Sequence, residues 1–377
     1  MSAVVLRDEE PIYSEPSAKS PRRGTAIRAA RLPLFGARLG PGCAKRWLFV
    51  GPNAWICEDG ATPSSQPPLA LDAPVEATPL GLPHRYFFVS KEGSFGYREL
   101  ETAEAGAPDV QYQPGFGVAI TRVSPKKETG DPFGLTSRGF WVPMRDLHAA
   151  PAVEFRGVSF SGALGWVRRD GTPVYSAPGR RKPGTSLARH TVVGIQEVRE
   201  HQKKRYLRVD EKEWLLADDV IEPRIDSPPP EIRPGERWID VDLSRQTLVV
   251  HMGDRPVYAT LVSTGSGPVG TPSATPKGTY RIWVKLETSD MDNLEDVEAR
   301  ANYAIEAVPW VMFFHQGYGL HGTFWHDRFG ETRSHGCVNL SPRDAERVFH
   351  WTSPKLYPGW SAVHPTAHEP GTLVRIR

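Results

Sequence analysis

Three residues able to carry acyl-transfer chemistry, His321, His335 and Cys337, fall within the window Leu320 to Leu340. A cysteine beside histidines can be held as thiolate, and the thiolate is the nucleophilic form. Gly336 directly precedes the cysteine, so the backbone can turn tightly and aim several N–H groups at one point, as an oxyanion hole requires. Gly322 follows His321 and permits close approach of another backbone or of a substrate. These residues read as a nucleophile, Cys337, with His321 as base, on a turn built by Ser334, His335 and Gly336. Two other readings stay open at this level. Cys337 can be a buried small hydrophobe, and the two histidines and the cysteine can bind zinc, with His315 or His326 as fourth ligand. The paired C-x-x-C or H-E-x-x-H spacing of common zinc sites is absent.

Such a site needs rigid elements around it. Upstream, Trp238 to Asp242, Gln246 to His251 and Val257 to Thr264 read as strands joined by a turn at Met252 to Arg255, which predicts a β-meander. Tyr280 to Val284 reads as the next strand and Val311 to Phe314 as a buried one leading toward Tyr318 and His321. Gly265 to Gly270 lacks the G-K-[ST] ending of a phosphate loop. Leu286 to Ala301 is acidic, with Asp290, Asp292, Glu295, Asp296 and Glu298, and reads as a mobile lid or a solvated loop; its D-x-D-N order lacks the glycine of a calcium loop. After the nucleophile, Ser341 as N-cap, Pro342 at the first helical position, and Ala345, Val348 and Phe349 at helical spacing predict a helix that buttresses the turn.

The motifs His321-Gly322-Thr323 and Ser334-His335-Gly336-Cys337-Val338-Asn339 resemble the signature of the L,D-transpeptidases, cysteine enzymes that remodel bacterial peptidoglycan. The resemblance extends through Trp238-Ile239-Asp240-Val241-Asp242, Thr275-Pro276-Lys277-Gly278-Thr279 and Pro309-Trp310-Val311-Met312, and covers about 235 to 365. It implies that Cys337 attacks a diamino acid–D-alanine bond of a tetrapeptide stem and passes the acyl group to an amine. His321 then serves as base, and the backbone N–H groups of His335, Gly336 and Cys337 hold the oxyanion. Substrate-binding candidates are Gly322, Thr323, Tyr318, Trp325, Arg333 and Asn339, with Arg328 as a further carboxylate partner and Trp310 as cleft wall or core. Asn339 stands where some members carry an arginine. No cofactor is implied.

The first 223 residues contain a diverged repeat. Pro11-Ile12-Tyr13-Ser14-Glu15-Pro16 and Pro173-Val174-Tyr175-Ser176-Ala177-Pro178 share an opening, and Trp55, Trp141 and Trp214 each sit in a short apolar strand that closes a segment. With 35 Gly and 36 Pro among 377 residues, short strands and turns are favoured over long helices. The pattern resembles bacterial Src-homology-3-like domains, most in the third segment and least in the second. The expected fold class is therefore mainly β, with up to three small β-barrels before a β-rich catalytic domain carrying one or more short helices. The expected divisions are 1–83 (first barrel, ending in a Pro-rich linker from Pro63), 84–150 (second), 151–223 (third), 224–235 (a stiff Pro-rich linker) and 236–377 (catalytic domain). Wall binding, partner binding and spacing are all open roles for the barrels.

The formal net charge of +2 with interspersed signs argues against a nucleic-acid partner, and no apolar run is long enough to span a membrane. No apolar signal region follows Met1; since the family works outside the cytoplasm, an export signal outside this chain is expected, with localisation in the cell envelope. Cys43 and Cys57 read as a candidate disulfide suited to an oxidising compartment, leaving Cys337 as the free thiol. The expected partners are peptidoglycan stem peptides, with a wall-attached protein as a further acceptor. Alternatives to the transpeptidase are an L,D-carboxypeptidase with identical residues and a wall-binding protein with an idle centre.

Overall fold

In a computed structural model, which describes residues 1–68, 80–90, 92–124, 131–294 and 303–377, the Pro- and Gly-dense first part of the chain forms three β-segments with one pairing scheme. In each, an opening strand pairs antiparallel with two later ones: Ser2–Val5 with Arg31–Pro33 and Ala61–Ser64, Arg85–Val89 with Gly117–Val123 and Leu147–Ala149, and Leu164–Val167 with Val192–Gly194 and Val220–Ile221. The strand that follows carries a tyrosine, or in the second repeat leads directly into one, set opposite a tryptophan: Tyr13 opposite Trp55, Tyr97 opposite Trp141 and Tyr175 opposite Trp214. Each tyrosine also meets a second aromatic edge-on: Trp47 at 5.4 Å, Phe133 at 6.2 Å and Tyr206 at 5.3 Å. Edge-to-face packing at these distances is favourable for aromatic quadrupoles, so an edge-on contact to the tyrosine recurs in all three repeats. Cys43 and Cys57 are joined by a disulfide with Cα atoms 5.6 Å apart; closing a loop of this length contributes about 3 kcal/mol.

The chain divides into two compact units, one comprising Met1–Glu154, Ile282–His326 and Ala345–Gly371, the other Phe155–Arg281, Asp327–Asp344 and Thr372–Arg377. Within the first, strands of the early repeats continue into a sheet built by the later chain. Arg22–Ala26 pairs with Trp360–Val363, that strand with Val284–Asp292, and that in turn with the long strand Ala304–His315. Ala304–His315 meets Gly117 of the second repeat through Ile305 and pairs antiparallel with Tyr318–Gly322, which carries His321. Ala119, Ile305, Val308, Val311 and Phe324 form the apolar core beneath this junction. Residues 286–292 of the expected lid thus belong to a strand, because their backbone pairs with Ala304–Val311; residues 295–302 lie outside the described residues, as do residues 69–79 of the expected 63–83 linker.

In the second unit the predicted meander is present as Arg237–Asp242, Thr247–Met252 and Arg255–Leu261, with Ile239 opposite Val250 and Val249 opposite Ala259. Leu373–Ile376 joins Arg237–Asp242 in parallel, and Gly278–Arg281 pairs with Leu373–Ile376. The single strand expected over 280–284 is therefore two elements, one ending at Arg281 and the other starting at Val284. Asp240, buried in the middle of its strand, is held by Arg375 at 2.8 Å and Arg377 at 3.0 Å. The same arginines reach the 224–235 segment: Arg377 donates to Arg224 O and Arg375 to Ser227 O, each at 3.0 Å. Proline content makes this segment stiff, and these contacts tie it to the sheet.

Candidate active site

Cys337 is half-buried on a turn that local chemistry closes. Ser334 Oγ donates to Cys337 O (2.5 Å) and accepts from Gly336 N–H (3.1 Å). Gly336 has φ +122°, a conformation that a Cβ would strain. The turn is clamped from the strand side, since Ser334 N–H donates to Thr264 O (3.0 Å), Ser266 N–H donates to Ser334 O (3.0 Å), and Ser263 and Asn339 exchange two backbone bonds. Gly336 N–H thus meets Ser334 Oγ, and both residues build the turn.

Thr275 is the positioning residue that motif reading left out of the site. Its Oγ1 donates to Gly336 O (2.7 Å) and accepts from Gly265 N–H (2.8 Å), joining the glycine-rich loop to the nucleophile turn; the Thr-Pro-Lys-Gly-Thr motif was the signal that pointed to it. Thr275→Val removes both bonds and leaves two backbone groups unpaired, at a cost of about 1–3 kcal/mol, and is expected to slow Cys337 alkylation about tenfold through loss of turn geometry. Thr275→Ser keeps the oxygen and should restore both. Thermal melts and timed mass spectrometry check this; equal rates in the wild type and Thr275→Val would remove Thr275 from the site.

Farther back, the third repeat holds the approach to the turn. Arg189 donates to Phe329 O (3.1 Å), and His190 Nε2 lies 2.9 Å from the same oxygen. Phe155 stacks on Phe329 with centroids 5.3 Å apart, and a Cβ on Gly330 would sit 2.8 Å from Ile221. A second anchor follows the turn, where the predicted helix spans Pro342–Trp351 and Asp344 N–H donates to Ser341 Oγ (3.2 Å). The Asp344 carboxylate is fully buried and accepts from Tyr258 Oη (2.6 Å), Thr260 Oγ1 (2.5 Å) and Gly157 N–H (2.9 Å); burial raises its pKa in spite of those donors.

In the other compact unit, His321 is 3% exposed at the end of Tyr318–Gly322. Its Nδ1 lies 3.2 Å from Gly322 O, an acceptor only, which places the proton on Nδ1 and leaves the lone pair on Nε2. Burial pushes its pKa down to about 4, so the ring is neutral, as a general base must be. Trp325, half-buried, stacks on it at 5.9 Å. Thr323 is fully buried and its hydroxyl has no hydrogen-bond partner. Tyr318 is half-buried, with its ring 6.2 Å from that of His315.

The remaining candidates separate by exposure. His335 and Arg333 are exposed on the turn, and Asn339 is buried on Val338–Leu340. Arg328 pairs with Glu331 at 3.6 Å on the surface, an arrangement worth little in water. Trp310 is core, its Nε1 donating to Gly81 O (2.7 Å) and its ring packing on Phe349.

Acidification is expected to destabilise the protein through its buried histidines. His251, fully buried and stacked at 4.1 Å on Trp238 with neither ring nitrogen hydrogen-bonded, is like His321 pushed down to about 4. Between the ordinary value of 6.5 and about 4 the unfolded chain binds protons that these native rings refuse, so their stabilisation is lost as pH falls through that window. Glu306 has the opposite sign. Burial pushes its carboxyl up to about 7, so its contribution is present below 4.5 and is lost as pH rises through 7. His251→Phe should therefore flatten the loss of denaturant midpoint between pH 6.5 and 4, and an unchanged slope would show that His251 is protonated in the native state.

The sequence of this region matches the YkuD family, the L,D-transpeptidase catalytic domain, over residues 236–376. Residues 236–376 belong to that family. This L,D-transpeptidase catalytic domain draws residues from both compact units, since the matched segment contains 282–326 and 345–371 of one and 236–281 and 327–344 of the other. A Bacillus subtilis protein named "Putative L,D-transpeptidase YciB" is 27% identical over 131 residues, which is 32% of this chain and 63% of that relative. The crystal structure of Mycobacterium tuberculosis L,D-transpeptidase 1 is similar at 18% identity and a TM-score of 0.27, covering 46% of this chain and 70% of that one. The NMR structure of the catalytic domain of an Enterococcus faecium L,D-transpeptidase is similar at 22% identity and a TM-score of 0.28, covering 38% and 98%. Among the described residues, no helix is long and apolar enough to cross a membrane.

Proposed function

We propose that the protein is a peptidoglycan L,D-transpeptidase whose nucleophile is Cys337. The observation that carries the reading is the one cysteine outside the Cys43–Cys57 disulfide, half-buried, on a turn closed by Ser334 and clamped by Thr275, inside a segment that matches the L,D-transpeptidase catalytic domain. Cys337 Sγ attacks the carbonyl of the diamino acid in a tetrapeptide stem, and His321 Nε2 takes the thiol proton. The oxyanion is held by the N–H groups of His335 and Cys337. The C–N bond to D-alanine breaks, its amine takes the proton from His321, and a thioester remains. An acceptor amine from a second stem, or from a wall-attached protein, then attacks the thioester and gives its proton to His321 as the thiolate leaves. No cofactor enters these steps. Tyr318, Thr323 and Trp325, together with Arg333 and Asn339, are the proposed substrate contacts. This reading implies an exported protein of the cell envelope and takes the three repeats as Src-homology-3-like domains.

Incubating the protein with disaccharide-tetrapeptides and separating the products by chromatography with mass spectrometry tests the reading. Loss of D-alanine with new dimers is the expected result. Loss without dimers would make the protein an L,D-carboxypeptidase, and unchanged substrate would leave an idle centre.

A further inference from the structure

The second repeat touches the strand and loop that carry His321 at several separate points. Tyr86, on Arg85–Val89, is 4% exposed and stacks on Phe324 with centroids 4.0 Å apart and planes 30° from parallel. Phe324 meets Trp325 edge-on at 5.1 Å, and Trp325 stacks on His321 at 5.9 Å. An unbroken line of rings therefore runs from the repeat to the imidazole. Tyr86 Oη also donates to Ala307 O (2.5 Å), and Glu306, next along that strand, receives Tyr112 Oη at 3.0 Å and Ser137 Oγ at 3.2 Å from the same repeat. Ala307 and Trp310 have φ of +48° and +60°, a region that residues with a Cβ adopt only where the surroundings over-determine it. The distorted strand is the one on which Tyr318–Gly322 is paired.

From this geometry we infer that Tyr86 is a positioning residue for His321, so that the second repeat is part of the catalytic apparatus rather than an independent wall-binding module. The inference rests on the proposed function only in taking His321 as the base. Rings in contact transmit position because packed interiors yield little before they strain, and an ångström of misplacement at a base can cost about a hundredfold in rate. The line of rings also keeps water from the imidazole. Among the described residues, the titratable groups along this line include His84 on the repeat, its ring 6.2 Å from that of Tyr86, Glu287 and Asp290 on Val284–Asp292 acting on Tyr86, and His326 on the loop acting on His321.

The test reads Cys337 directly, by its rate of alkylation with iodoacetamide across pH 4 to 8. The sulfur–carbon bond forms, iodide leaves and the thiol proton passes to the base, so no assumption about substrate enters. Tyr86→Leu should slow alkylation at pH 7 about tenfold and move the acid limb of the profile to higher pH as water reaches His321. Tyr86→Phe keeps the ring and should stay within about twofold of the wild type. Leu48→Ala, a core change in the first repeat, lowers stability without touching the line of rings and should leave rate and profile unchanged; Phe324→Leu replaces Tyr86→Leu if the latter does not fold. A folded Tyr86→Leu with wild-type rate and profile would overturn the inference, as would equal slowing by Leu48→Ala. His321→Ala separates the two readings. If it alkylates like the wild type, the base assignment falls and this inference with it. If it is slow while Tyr86→Leu is not, only the inference falls.

Discussion

Cys337→Ala is expected to abolish release of D-alanine and formation of dimers, with a loss of at least about 10³-fold, while the fold stays intact. The side chain is half-buried and lies on a turn whose bonds run through the backbone, Ser334 and Thr275, so losing the sulfur leaves that frame standing. Nor can another thiol replace it. The chain has three cysteines, and Cys43 and Cys57 are paired with each other. Product analysis together with circular dichroism decides the matter. A folded variant that still released D-alanine would require a different nucleophile and would remove the thioester from the reaction.

Asp344→Ala should produce the largest loss of stability, about 3 kcal/mol or more, equivalent to roughly 6–12 °C in melting temperature for a unit of this size. Three buried donors, Tyr258 Oη, Thr260 Oγ1 and Gly157 N–H, lose their common acceptor at once. All three are buried, and removing one partner of a buried polar group costs far more than the bond itself contributes. Asp344 lies in the first turn of the helix that follows the nucleophile turn, and its carboxylate ties that turn to the meander and to Gly157. Asp344→Asn keeps one carbonyl acceptor and should cost less than the alanine variant. Equal stability of Asp344→Ala and the wild type in urea titration would show that the three donors find other partners.

The residues proposed to react were legible as candidates because chemistry and turn geometry restrict residue type. A thiol after a glycine, a histidine before a glycine, and Ser-Pro-x-Asp at a helix start each have a local physical reason, and the apolar runs of the meander read directly as paired strands. The repeat was legible from its proline–tyrosine opening and closing tryptophan. Its second copy, which lacks the prolines, was the faintest to sequence, yet it sets Tyr97 opposite Trp141 as the others set their pairs. What local pattern could not convey was pairing between segments far apart in the chain. Residues 286–292 looked like a solvated loop because Asp290 and Asp292 are acidic and exposed, while their backbone hydrogen bonds, which leave no mark in composition, make them a strand. The bridging role of Thr275 and the line of rings from Tyr86 to His321 were likewise decided by tertiary structure. Each depends on which groups meet across tens or hundreds of residues, and a sequence specifies such meetings only through the packing of the whole chain.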